Sequence, residues 1–459
     1  MSTSINTISG RHRQAFVATL LTGTFTMSIS QSALSTAYPA FMRSFHLGAS
    51  TVAWLTTGFM LVMSLMIPVS PWLLSNMKFK HLFQSVVAVF ALGTLLCIWA
   101  PSFPLLMTGR LLEAVAVGII FPSYQTVMLT ITPQERRGAV MGVAGLVMGS
   151  ALAVGPIISG VLLTWFPWRA LFALFFIIAI AVFVVSFVTI KDVMPLQPNQ
   201  LDWLSVVLAA SFPALLYVLS SATNQGMTAT LGIITVLGCM GAIWFVRRQL
   251  NQERPILQLR VFATRLFTQS VLMTGISYIA LIVTTIIMPL YFQNVLHVSP
   301  LVSGLSLVPA AVGLSLLNPR AGKMLDRLGP RKVALTGMTL IVIGFTLMTL
   351  LVGHLPLWLA IICAMVTEAG NAFVMMPSVT AGANALPRDL IADGTAVTTT
   401  VRQLLGSLGV AVATMILQTV QQGTGSAVSG FRATFASFAL VGVVGWLLAT
   451  RLPRVQERE

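Results

Sequence analysis

Charge is what this chain has least of: Asp, Glu, Lys and Arg together make up 8% of its 459 residues, against about 25% in soluble domains. With 56% of the residues hydrophobic, it cannot cover a water-facing surface of ordinary composition, so the apolar excess must face lipid. Acid is scarcer still, with 11 acidic residues against 26 basic ones. The resulting net charge of +15 does not point to nucleic acid. Its Lys and Arg sit in short breaks between apolar runs, where they orient helices and meet anionic headgroups. Cysteine is nearly absent; Cys97, Cys239 and Cys363 lie inside apolar runs without the spacing of a disulfide or metal site. His12, His46, His81, His297 and His354 all fall near loops, so no buried histidine relay is expected. A Gly-rich, Lys-containing nucleotide loop is missing, as is any cluster of polar catalytic groups. No cofactor and no metal are expected, and a polytopic membrane enzyme is only a distant alternative.

What the chain does have is apolar runs of about 20 residues, each long enough to span a bilayer. Fourteen can be placed, centred near Met27, Met60, Phe90, Val117, Ser150, Ile180, Pro213, Leu237, Ile282, Pro309, Ile341, Ala372, Ser407 and Val441. The first is too long for a signal-peptide core and lacks a small-residue cleavage site, so it reads as an uncleaved span. With both termini inside, nearly all of the 26 Lys and Arg fall on inner segments. Arg43, Arg169 and Arg432 fall on or near outer ones, and Arg110 and Arg402 lie within spans. Such segregation is what the positive-inside rule demands. The expected location is a cell membrane, multi-pass, with both termini cytoplasmic.

The chain also repeats itself. Glu113 precedes Pro122 in the fourth span by the same spacing that separates Glu368 from Pro377 in the twelfth. The break after span two, Trp72 to Lys80, is echoed by the break after span ten, Lys323 to Arg331. These echoes pair the first six spans with the last six. The expected organisation is a six-helix bundle over residues 1–190, an inserted two-helix hairpin with linkers over 191–250, and a second six-helix bundle over 251–459. Repeated halves suit a transporter that rocks one half against the other around a midplane site.

Several motifs follow in order. The break after span ten carries Gly322, Asp326, Arg327, Gly329, Arg331 and Lys332. Its glycines permit a tight turn, and Asp326 can sit near the start of a helix, where a carboxylate is favoured. Span five carries Gly142, Ala151, Gly155, Pro156, Ser159 and Gly160; small residues allow close helix approach and the Gly-Pro pair bends the helix. Span four has Arg110 and Glu113, and Trp168-Arg169, Pro289 through Gln293, Ser299, Gly304, Pro309 and Arg402-Gln403 complete the series. In this order the motifs resemble the fourteen-helix drug:proton antiporters of the major facilitator superfamily, nearly end to end. The resemblance implies an all-α integral membrane fold of 14 transmembrane helices, two six-helix bundles plus an inserted hairpin. It also implies gating by the loop motif and exchange set by the span-five motif. Two departures stand out. Ser75, Asn76 and Lys78 replace the expected residues of the first-half loop, and Ser30 stands where the family often has an acid.

Only two of the 11 acidic residues lie deep in spans, Glu113 and Glu368. Each falls roughly 14–18 Å past the outer start of its helix at the helical rise. A charge there costs at least about 2.5 kcal/mol and needs a purpose or a partner. A carboxyl so placed can load a proton on one face of the membrane and shed it when wetted on the other, or when an organic cation approaches. For Glu113 the competing reading is a static pair with Arg110, three residues earlier on one helical face. Glu368 has no basic residue three or four positions away, only Asn371; its competing reading is a distant pair with Arg402. Glu368 is therefore the preferred proton carrier. Arg402 can alternatively hold a carboxylate or an anionic substrate. Tyr38, Trp54 and Tyr124 offer cation–π contacts to a flat lipophilic cation, and Ser30, Arg110 and Asn371 complete the candidate substrate contacts.

The expected function is proton-coupled efflux of hydrophobic, cationic drugs or toxic compounds by alternating access. The alternative is proton-coupled export of an endogenous metabolite, peptide-like or lipid-like compound. The expected partners are a small hydrophobic substrate, protons and the lipid bilayer, with the protein a monomer; no motif names an accessory efflux partner.

Overall fold

A computed structural model of the chain describes residues 10–198, 200–226, 228–252 and 255–453. Sixteen α-helices account for most of them, and no strand occurs among the described residues. Within lipid, backbone groups have no water to bond, so apolar runs must satisfy them internally as helix. The helices are α1 (Gly10–Phe45), α2 (Ala49–Met66), α3 (Ser70–Asn76), α4 (Phe79–Trp99), α5 (Phe103–Thr130), α6 (Arg137–Trp165) and α7 (Arg169–Thr189). They continue with α8 (Trp203–Ala209), α9 (Ser211–Gln225), α10 (Ala229–Asn251), α11 (Arg265–Asn294) and α12 (Pro300–Leu305). The last four are α13 (Val308–Leu351), α14 (Leu357–Asn384), α15 (Ile391–Thr424) and α16 (Ala427–Thr450).

Among the described residues, eleven helical segments are long and apolar enough to cross a membrane by themselves, fewer than the fourteen expected spans. Three local features make the difference. The 44 residues of α13 are two helices joined without a loop at Gly329, whose φ of 76° and ψ of 172° lie where essentially only glycine is comfortable. In α1 a series of Thr and Ser dilutes the hydropathy, although Thr19, Thr24 and Thr26 return their hydroxyls to carbonyls one turn back. The third apolar stretch, Trp203–Val218, is short.

Lipid is as apolar as leucine, so helices associate here through close packing more than through water exclusion. A Cβ on Gly93 of α4 would lie 2.6 Å from the Gly109 carbonyl of α5, and one on Gly370 of α14 would meet the Gly337 carbonyl of α13 at 2.5 Å. The two Glu-Pro helices are thus each held to a neighbour through glycine. A third such face joins the two parts of the chain: Gly138, Gly142, Gly145 and Gly149 of α6 lie against α13 between Ser315 and Asp326. Further along, Gly160 of α6 and Gly313 of α13 have nothing within 4 Å of a would-be side chain. The packing between these helices therefore tightens toward one end of the molecule.

That end gathers the start of α1, the α5–α6 turn, the Gly329 turn and the α14–α15 turn. Arg13 reaches Thr132 at 3.4 Å and Arg137 reaches Asn384 at 2.8 Å. It is the basic end. At the opposite end Trp168 donates to Ser44 at 3.0 Å, and Arg169 donates to the carbonyls of Ile98 and Ala100. The segment α8–α10 packs beside α2 and α15. Its base is clamped at Asp202, which accepts from Arg248 Nε at 2.7 Å and Nη2 at 3.1 Å, with Ser205 and Gln252 donating as well. The Arg248 guanidinium holds the Asp202 carboxyl well below the usual carboxylate range.

Candidate functional site

Glu113 is fully buried on α5, and both of its oxygens are occupied. Thr94 of α4 donates to Oε1 at 2.8 Å; Ser30 of α1 donates to Oε2 at 3.2 Å. Arg110, one turn earlier, forms an ion pair with Oε2 and also donates to Ser30 at 3.1 Å. The guanidinium lies over the Phe59 ring of α2, 4.3 Å from its centroid. Four helices thus converge on a closed cluster in which the acid and base neutralise each other. Ser30, which stands where the resemblance led us to expect an acid, is a bridge between them.

Glu368 is placed differently. It is 5% exposed on α14, and its Oε2 accepts from Asn371 Nδ2 at 3.1 Å. Asn371 Oδ1 accepts in turn from Ser277 of α11 at 2.7 Å. Glu368 Oε1 is buried and has no hydrogen-bond partner. Among the described residues no basic side chain pairs with Glu368. A lone carboxyl oxygen in such a place is costly if charged and tolerable if protonated.

Arg402 on α15 has Tyr278 of α11 as its neighbour, the guanidinium 5.2 Å from the ring centroid. Tyr124 is a buried residue of α5, and α15 packs against both α5 and α11. Tyr38 shares a 2.5 Å hydrogen bond with Thr56 between α1 and α2. Trp54 stands apart: it is 41% exposed and stacks on Tyr217 of α9, with centroids 5.7 Å apart. Thr94, Ser277 and Tyr278 were not singled out from sequence. Hydroxyls in apolar helices usually bond their own backbone, so nothing in the local pattern marks these residues before the helices are packed.

At the basic end Asp326 receives the first backbone amides of α6, Gly138 N to Oδ1 and Ala139 N to Oδ2, both 2.8 Å. The carboxylate of α13 thus caps α6. Thr126 of α5 and Thr395 of α15 share a 2.5 Å hydrogen bond at the same end. Gly142 backs on the Asn318 carbonyl, and Gly155 meets Ser32 and Ala33 of α1, one residue before Pro156. Gly322 lies against the Gly138 carbonyl, and Arg327 and Arg331 flank the Gly329 turn.

Known proteins resemble this chain in sequence and in fold. The profile of the Major Facilitator Superfamily matches residues 20–410 and 270–459. The chain is 37% identical to the MFS-type transporter YcnB of Bacillus subtilis (strain 168), itself uncharacterized, over 97% of this chain and 96% of the relative. It is 30% identical to the lincomycin resistance protein LmrB of the same organism, over 96% and 95% of the two chains. In fold it matches a structure of the proton:xylose symporter XylE with a TM-score of 0.71 at 11% identity, covering 98% of both chains.

Proposed function

This chain belongs to the major facilitator superfamily of membrane transporters, and we propose that it is a fourteen-span exporter exchanging protons for hydrophobic, cationic compounds. The observation that carries the coupling is the partnerless Oε1 of Glu368, buried without a counter-charge. With Asn371 donating to Oε2, the proton of the neutral acid belongs on Oε1. A cation arriving beside Oε1 stabilises the carboxylate and drives that proton off; when the cation leaves, the proton returns. Proton and substrate then compete for one oxygen, which is the requirement for exchange. Glu113, already neutralised by Arg110, is the weaker carrier and serves to hold α1, α4 and α5 together.

Fourteen spans follow from the eleven self-sufficient ones when α13 is divided at Gly329 and α1 and the α8–α9 pair are each counted as crossing. Two bundles, 1–190 and 251–459, then move against each other, with 191–250 as an inserted hairpin. A core confined to residues 273–452 supports a second bundle, and a larger core from Phe16 to Val397 joins it to the first. The basic end is read as cytoplasmic. Asp326 on the α6 amides, with Gly322, Arg327, Gly329 and Arg331 around it, latches that end; Gly142, Gly155, Pro156 and Gly160 shape the helix it latches. The names of the LmrB relatives support drugs as cargo.

The test is purified protein in liposomes with ethidium added against an imposed pH gradient. Wild type should release protons as the cation moves, and Glu368→Gln should lose that coupling while Glu113→Gln retains part of it. Wild type moving no protons with any cation tried would overturn the antiport reading. Loss of coupling in Glu113→Gln alone would reverse the two roles.

A further inference from the structure

The coupling scheme leaves one deep charge without work. Arg402 lies on α15, a short distance beyond the buried Thr398, Thr399 and Thr400, with its guanidinium carbon 5.2 Å from the Tyr278 ring centroid. Gly406, one turn on, leaves room for the same ring; a Cβ there would come within 2.6 Å of it. The tyrosine is within cation–π range of the guanidinium and fills none of its five donors. Among the described residues Arg402 has neither an ion-pair nor a hydrogen-bond partner, and its Nε is fully buried without one. Arg110 shows what a structural arginine does in this protein: it pairs with Glu113 and Ser30. Arg402 shares the neighbouring ring but lacks the acceptors.

The acid of the same half is tied to the same helix. Glu368 reaches α11 through Asn371 and Ser277, while Arg402 reaches it through Tyr278, the next residue. Consecutive residues on a helix point about 100° apart. The acid and the base are thus attached at adjacent positions of α11, and no ion pair among the described residues joins them. A fixed cation with an open planar fork selects a carboxylate-like acceptor.

We propose that Arg402 is an acceptor-oxygen subsite, so that the exported compounds are amphoteric: their cationic end works against Glu368 and a carboxylate or enolate oxygen is taken by Arg402. This rests on the reading of the chain as an exporter that binds its cargo between the two halves.

Rhodamine 110 and rhodamine 123 share one cationic ring system and differ in a free carboxylate against its methyl ester. Their binding to the full chain in nanodiscs, without any gradient, is read by fluorescence anisotropy. Wild type should prefer rhodamine 110 by about tenfold or more, a difference of about 1.4 kcal/mol. Arg402→Gln should remove the preference and leave rhodamine 123 within about threefold of wild type, and Arg402→Lys should restore part of it. Equal binding of the two dyes by wild type, binding of neither, or parallel loss of both in Arg402→Gln overturns the proposal. The wild-type comparison decides even where no variant folds. Proton release with rhodamine 123 in liposomes is scored separately: discrimination without proton release keeps the subsite and sinks antiport, and the converse result does the opposite.

Discussion

Glu113 and Glu368 stand at matching places in two repeated helices, and the two halves of the chain surround them in opposite ways. The first half gives its acid a cation and two hydroxyls; the second gives its acid one amide and leaves an oxygen bare. In the second half the cation stands on another helix, over a tyrosine. A buried pair is hard to protonate and hard to break; a lone carboxyl is easy to protonate and contributes little to the fold. On the proposed scheme the first-half acid is the rigid one and the second-half acid the responsive one, and that difference can be attacked from either side.

The largest effect should come from breaking the closed cluster. Removing one member of a buried pair strands the other, at a cost of about 3–5 kcal/mol. Arg110→Met should lower the thermal unfolding midpoint of detergent-purified protein by far more than any change at Glu368. Arg110→Met combined with Glu113→Gln should recover most of the loss, because no charge is then stranded. Equal destabilisation by the single and the double change would show that the pair is not what organises α1, α4 and α5.

The loops of the halves differ in the same sense. Asp326 crosses to the other half and caps α6. In the first half Asn76 donates to the Trp72 carbonyl of its own helix, Ser75 accepts from the Gln197 amide, and Lys80 donates to the Phe187 carbonyl. The first loop's hydrogen bonds thus stay within its own bundle and linker, although α3 also packs against α15; the second loop's carboxylate crosses to α6, as the proposed latch requires. Asp326→Ala should cost about 1–2 kcal/mol, the usual price of a lost helix cap. It should also raise accessibility of a cysteine introduced at the basic end between α6 and α13. Unchanged labelling would remove the latch from the scheme.

Most of the architecture was legible because lipid leaves few choices. An apolar run of about 20 residues must be helix, and a Glu nine residues before a Pro, seen twice, marks a repeat. Asp326 was placed near a helix start by its charge, although which helix it caps could not be read from spacing. The polar partners were less visible. Ser277 and Thr94 look like any helical hydroxyl until α11 and α4 are packed, because a hydroxyl's default acceptor is its own backbone. Trp54 was grouped with the substrate aromatics on its chemistry alone; the face it occupies depends on where α9 lies, which no local pattern encodes. The separate spans centred near Pro309 and Ile341 were legible because the charged, glycine-bearing break between them interrupts the apolar pattern, and the backbone leaves helical geometry there at Gly329.

Ser277→Ala probes the second-half network gently. It removes one neutral hydrogen bond, worth about 1 kcal/mol, and frees the Asn371 amide to rotate. Unfolding should shift slightly and coupled ethidium transport should fall by several-fold, with the cation still bound. An unchanged transport rate would mean that Asn371 is held in place without Ser277.

The smallest effect on stability is expected at Glu368 itself. Glu368→Gln keeps the shape and the oxygen that accepts from Asn371, and it alters only the oxygen that has no partner. Its unfolding midpoint should stay within about 1 kcal/mol of wild type, the scale of a single neutral hydrogen bond. Proton coupling should nevertheless be lost, because the amide cannot exchange a proton. Large destabilisation with coupling retained would invert the comparison, making Glu368 a structural residue and returning the proton to Glu113. Stability retained with coupling lost is the signature that separates the responsive half from the rigid one.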